Sequence, residues 1–155
     1  MAKIRKFDKY ITYAGTTLPP QAHQEIKTPG TELFYVHDGI IPGAFTMCCT
    51  WMTGIIPGSL ERDMPQHMHA DDEFLGFCGG DPYNPLDLGA EVEFWYEDDK
   101  YIFTKSVLLF IPKMTRHGPL VVTKIDHPIF IFHSMPSSNR GEIPVNNPKF
   151  SRFKK

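Results

Sequence analysis

The chain has no run of eighteen apolar residues, so nothing in it reads as a membrane-spanning helix. Its opening stretch, Met1 to Tyr10, is charged and lacks the apolar core of a signal peptide, so a cytoplasmic protein is expected. Positive charge is not in excess: the formal net charge is −2, whereas a nucleic-acid binder needs a basic face. Cysteine is scarce. Cys48, Cys49 and Cys78 are an odd set that cannot all pair, and without a secretory signal they are expected to be reduced. Cys48 and Cys49 are adjacent and face opposite sides of a strand. A thiol beside a pocket and a small buried hydrophobe are the two uses open to them. Also missing are any long segment of 3.6-residue periodicity, any internal repeat and any dividing linker.

What remains describes a small β protein. A length of 155 residues suits one domain with a real core, and 41% hydrophobic with 22% charged residues is a globular balance. Fourteen Pro and twelve Gly punctuate short segments. Strands are predicted at Leu33 to Asp38, Phe45 to Thr53, 64–69, 73–78, Glu91 to Tyr96, Lys100 to Lys105, Ser106 to Ile111, Leu120 to Thr123 and Ile129 to Ser134. Glu97-Asp98-Asp99 makes the acidic turn of a hairpin, and 79–85 is a loop rich in Gly, Pro and Asn. The nearly continuous apolar run Ser106 to Ile111 predicts a strand buried on both faces. A basic arm, Lys3 to Lys9, and a loop-rich lead-in with a helical turn near Gln21 to Glu25 come before the strands. A polar tail follows them. This spacing predicts an all-β sandwich or barrel.

The chemistry gathers in Gln66-His67-Met68-His69-Ala70-Asp71-Asp72-Glu73, answered by Pro112-Lys113-Met114-Thr115-Arg116-His117. His67 and His69, two apart on a strand, share a face. A short Ala-Asp-Asp turn then brings Glu73 back on the neighbouring strand, and His117 closes the site from a distant one. Three imidazoles and one carboxylate suit a divalent transition metal, not calcium or magnesium, which want oxygen ligands. Chance would supply only about 0.02 matches to H-x-H-x3-E in a chain of this composition.

At these residues the sequence resembles the cupin family. The first cupin motif, G-x5-H-x-H-x3,4-E-x6-G, is met at His67, His69, Glu73 and Gly80, with Glu61 in place of the leading Gly. The second, G-x5-P-x-G-x2-H-x3-N, is met at Pro112 and His117, with Ser106, Met114 and Val121 replacing Gly, Gly and Asn. All four ligand positions are kept while the glycine framework is eroded. The resemblance implies a jelly-roll, double-sheet β-barrel over 35–135, flanked by an N-terminal arm (1–34) and a C-terminal tail (136–155). It also implies a metal at the centre and a homodimer, but no particular reaction.

Four ligands on a metal that accepts six leave up to two positions open, where a hydroxy acid, keto acid or diol can chelate. The ligand set does not choose among Fe, Mn, Ni, Co and Zn. Arg116 and Arg62 are candidates for holding a substrate carboxylate. His133, on the last strand, is a candidate general base or partner to a ligand if it faces inward. Tyr35, Trp51, Trp95 and Tyr96 are candidates to line a pocket or to be plain core, and His23, His37 and His127 fall in loops. The leading expectation is a metalloenzyme acting on a small oxygen-bearing metabolite, as a dioxygenase or by isomerase or lyase chemistry. A metal-dependent small-molecule binding module and a closed structural metal site are the alternatives.

Overall fold

Two five-stranded sheets, antiparallel throughout, lie face to face in the computed structural model of the protein, which describes residues 10–14, 30–55, 66–136 and 141–146. The strands are β1 (Gly30–Val36), β2 (Thr46–Met52), β3 (His67–His69), β4 (Glu73–Gly79), β5 (Asp87–Tyr96), β6 (Asp99–Lys105), β7 (Val107–Ile111), β8 (His117–Ile125), β9 (Ile129–Met135) and β10 (Glu142–Pro144). The first sheet runs β1-β2-β9-β4-β7 and the second β10-β3-β8-β5-β6. No described strand pairs from one sheet to the other, so the jelly roll is a double sheet rather than a closed hydrogen-bonded ring. The described residues contain no α-helix, and none is long and apolar enough to cross a membrane.

The expected all-β architecture holds, and the strands reach beyond 35–135 at both ends. β1 begins at Gly30, and β10 adds residues 142–144 to the edge of the second sheet beside β3. The acidic hairpin is found where expected, with β5 ending at Tyr96 and β6 starting at Asp99. The basic arm, the helical turn near Gln21 to Glu25, His23, Arg62 and the strand start at 64–65 lie outside the described residues.

The core fills the space between the sheets. Alternation turns Glu73, Leu75 and Phe77 of β4 inward, and opposite them the second sheet offers Val92, Phe94, Leu120 and Val122. Phe77 and Phe94 are fully buried, and the ring of Phe103 stands 6.5 Å from each. Burying side chains of this size contributes about 1.5–3 kcal/mol apiece. At Gly80, the last residue of the first motif, a Cβ would sit 2.3 Å from the backbone oxygen of Pro128. That close approach needs glycine. In β8, Gly118 takes φ +79° and the pairing with β5 shifts register, so that His117 and Leu120 both face inward.

One expectation fails. β7 is not buried on both faces. It is the edge of the first sheet, with Leu109 and Ile111 turned inward but Leu108 and Phe110 57% and 51% exposed. An apolar run at a sheet edge has one face on the core and the other in solvent, and composition does not separate this from two-sided burial. The outer face here continues across the sheet in register. One row reads Met47, Ser134, Phe74, Phe110 and the next Cys49, Phe132, Gly76, Leu108, with the Phe132 ring lying over Gly76.

Candidate metal centre

His67, His69 and His117 come together on the inner face of the second sheet. β3 and β8 pair at a single register point, His67 opposite His117, so all three imidazoles meet at the seam. Their ring centroids lie 4.3–5.2 Å apart, and each offers a ligand nitrogen within 4.8 Å of the others. All three are buried, at 2–4% exposure.

Glu73 reaches them from the opposite side. β4 belongs to the first sheet, so the Ala-Asp-Asp turn does not fold Glu73 back onto a neighbouring strand, as the sequence suggests. It carries the chain across to the facing sheet. Glu73 Oε2 then lies 3.2 Å from His117 Nε2 and 3.4 Å from His69 Nε2. The crossing is clasped by the β7–β8 turn. The Met114 N–H donates to the His69 carbonyl at 2.7 Å and the Lys113 N–H to Asp72 Oδ1 at 2.9 Å. In that turn Met114, which stands at the central Gly of the cupin motif, takes φ +60°. The turn geometry therefore survives the loss of glycine, with a residue that adopts it at a cost.

The ring orientations are set by backbone. His117 Nδ1 lies 2.9 Å from the Thr115 carbonyl, and His69 Nδ1 lies 3.3 Å from the Gly141 carbonyl. A carbonyl only accepts, so in these two contacts Nδ1 donates, and the Nε2 atoms are the ones turned toward Glu73. Burial pushes the Glu73 carboxyl up. The facing imidazoles, His117 first and then His133 and His69, outweigh this and hold it below the usual carboxylate range. Glu73 is thus an anion, and its Oε2 is buried without a hydrogen bond of good geometry.

This arrangement passes a simple fit test for a metal. Two ligand atoms each about 2.1 Å from one ion, at right or tetrahedral angles, stand about 3.0–3.4 Å apart. The two Glu73 Oε2 distances fall in that window. The three imidazoles of the cluster offer nitrogen, Glu73 faces two of them with oxygen, and none of the three cysteines joins the cluster.

The other candidates divide. His133 faces inward, 6% exposed, with Nδ1 3.5 Å from Glu73 Oε1. Arg116 points to the acidic turn, where its guanidinium bonds Glu97 Oε2 at 2.5 and 2.9 Å and lies 3.5 Å from Asp98. Tyr96 shares the face of His117 and donates its hydroxyl to the Phe110 carbonyl at 2.8 Å, bridging the sheets. Trp51 and Trp95 turn outward, against Phe130 and under Lys100. Tyr35 lies against His37, and His127 is exposed in a loop. Cys48, on the inner face opposite His133, donates to Glu32 Oε1 at 3.1 Å, whereas Cys49 is on the outer side, where burial pushes its thiol up. Not anticipated were Gln66, buried and bonded to the Glu97 carbonyl at 2.8 Å, and the orienting carbonyls of Thr115 and Gly141. Backbone groups carry no signal in a sequence.

No protein-family model matches the sequence, and no curated protein does. Among solved structures, an oxalate oxidase superposes with a TM-score of 0.51 at 13% identity, over 89% of this chain and 64% of its own. The chain therefore spans less than two thirds of that enzyme's length. An oxalate oxidase in complex with glycolate gives a TM-score of 0.50 at 12% identity, over 94% and 73% of the two chains. Peruvianin-I, described as a cysteine peptidase from Thevetia peruviana latex, gives 0.53 at 15%, over 92% and 81%. At such identities the likeness is one of fold, and the fold is that of the cupins.

Proposed function

We propose that this cupin-fold chain is a metal-dependent enzyme acting on a small oxygen-bearing metabolite. His67, His69, His117 and Glu73 would hold one divalent transition metal, Fe, Mn, Ni, Co or Zn. The observation that carries the proposal is the buried Glu73 Oε2, aimed between two imidazole Nε2 atoms at 3.2 and 3.4 Å. Structural zinc usually includes thiolates, and this cluster contains none.

When bound, the metal supplies Lewis-acid polarisation of a carbonyl, or a lowered pKa for a bound hydroxyl. The rest falls to the chain. The Thr115 and Gly141 carbonyls hold the two rings with Nε2 inward. His133, whose Nδ1 lies 3.5 Å from the far oxygen of Glu73, would steady that carboxylate or serve as the general base. Leu75, Ile111 and Phe94 wall the site with apolar surface, which strengthens every charge interaction inside it. Arg116 contributes a substrate contact only by leaving Glu97. The reaction is dioxygenation or a Lewis-acid isomerisation or lyase step. The oxalate oxidases among the fold neighbours, one holding glycolate, favour a small acid as the first substrate class to screen.

The test is elemental analysis of protein purified without added metal, beside His67→Ala. About one equivalent in the wild type, lost in the variant, is expected. Iron directs the search to oxygen uptake, and manganese, nickel or cobalt to hydroxy acids and sugars. A metal-loaded protein that is stabilised by a small acid yet turns none over would establish a binding module instead. No metal in either protein, even after reconstitution, overturns the proposal.

A further inference from the structure

The inner face of the first sheet is divided. On β4 and β7 it is apolar, with Leu75, Phe77, Leu109 and Ile111 packed into the core. Toward β2 and β1 it turns polar. His133 of β9 pairs with Cys48, and the next inward residue of β2, Thr50, pairs with Glu32 of β1. Residues directly opposite on neighbouring strands share a face. Cys48 donates its thiol to Glu32 Oε1 at 3.1 Å and lies 3.8 Å from the Thr50 hydroxyl. The strip leads away from the metal centre. His133 Nδ1 stands 3.5 Å from Glu73, Cys48 lies one strand spacing beyond His133, about 4.8 Å, and Glu32 one strand beyond that.

Burial sets the strip apart too. Phe77 and Ile111, on the apolar half, are 0% and 1% exposed, whereas Glu32, Cys48 and Thr50 face the same way and are only half-buried. The inner face is therefore open to solvent there, beside the centre. Its charge is of one sign. The five strands of this sheet contain no lysine or arginine. Among the described residues every lysine is exposed, and the one arginine, Arg116, is held by Glu97. The strip offers a carboxylate, a hydroxyl and a thiol, and no cation to hold an anion.

We propose that Glu32 reads the end of the substrate remote from the metal, accepting a hydroxyl or amino group there and excluding a second carboxylate or a phosphate. The inference rests on the metal-dependent function proposed above and narrows its substrate class to acids with one anionic group and a hydrogen-bond donor at the far end. The acid group belongs at the metal. The far end meets Glu32, whose carboxylate has room for further donors beside the Cys48 thiol, because its two oxygens carry about four lone-pair sites. An anionic far end would meet a like charge with no cation beside it, which half-buried surroundings make costly. Cys48 acts only as a positioning residue, fixing the carboxylate by its hydrogen bond.

Acids matched in length that differ at the far end test this: glycerate against tartronate, threonate against tartrate, gluconate against glucarate. Dissociation constants are measured by calorimetry on protein whose metal content has been established by elemental analysis. In at least one pair the hydroxyl-ended acid is expected to bind at least about 10-fold tighter than the diacid. Glu32→Gln, with metal content and circular dichroism unchanged, is expected to cut that preference about 10-fold by admitting the diacid. A Glu32 that merely held the strands together would, on substitution, weaken both members alike. Should that variant not fold, Thr50→Lys puts a cation on the same strip and is expected to tip the preference toward the diacid. Metal-loaded protein that binds none of these acids, binds both members of every pair equally, or favours the diacids overturns the inference alone, as does a preference that survives Glu32→Gln. Protein that takes up no metal refutes the centre itself, and this inference with it.

Discussion

Replacing Glu73 by Gln keeps the shape of the side chain and removes the anion. Glu73 Oε2 stands 3.2 Å from His117 Nε2 and 3.4 Å from His69 Nε2, within the spacing of shared ligands. Losing even a group that merely supports a ligand weakens metal binding 10–100-fold, so losing a direct charged ligand costs at least about 100-fold. Metal at 100 times its dissociation constant stabilises the wild type by about 2.7 kcal/mol. For a chain of this length that raises the melting temperature by about 5–11 °C. After a 100-fold loss the same metal contributes only about 0.4 kcal/mol, and the increment shrinks to about 1–2 °C. The assay is a thermal melt of chelator-stripped protein with and without metal. Increments are compared within each protein, so that a shifted metal-free baseline cancels. If E73Q keeps the full increment, Glu73 is not a ligand, the convergence on its oxygen is an ion pair only, and the proposed centre is wrong.

His133→Gln should retain metal at saturation but bind it about 10–100-fold more weakly, measured by competition with a chelator, because Glu73 loses its lateral support. Met114→Gly should raise the melting temperature by about 1–4 °C with metal content unchanged. Relief of the left-handed backbone exceeds the entropy that glycine adds to the unfolded chain by roughly 0.5–1 kcal/mol, and the side chain is half exposed. Gly80→Ala should destabilise the protein by about 1–3 kcal/mol, read as a lower urea midpoint at constant slope, since the new Cβ meets backbone at Pro128. An unchanged midpoint would show that the β4 end yields without cost.

Alternation proved a good guide to faces and a poor one to neighbours. It put Glu73, Leu75 and Phe77 on one inward face and His67 with His69 on another, and the burial agrees. It carries nothing about which strand lies alongside, so the crossing of Glu73 to the opposite sheet was not legible. The apolar run of β7 was visible, but an apolar residue facing solvent and one inside a core look alike in one chain. Met114 disguised a turn whose backbone is still that of a glycine. β10 is three residues long and holds Pro144, too little for any period to register.

That small strand has a reach beyond its size. It hydrogen-bonds along β3, and the residue just before it supplies the carbonyl that holds His69 upright. Residues 141–144 act as a latch on the innermost chemistry. Displacing them, for example by crowding with a fusion partner, would free the His69 ring to turn and, under the proposed function, weaken metal binding without touching a ligand. Engineers who tag this protein beside that latch would be altering its centre from outside.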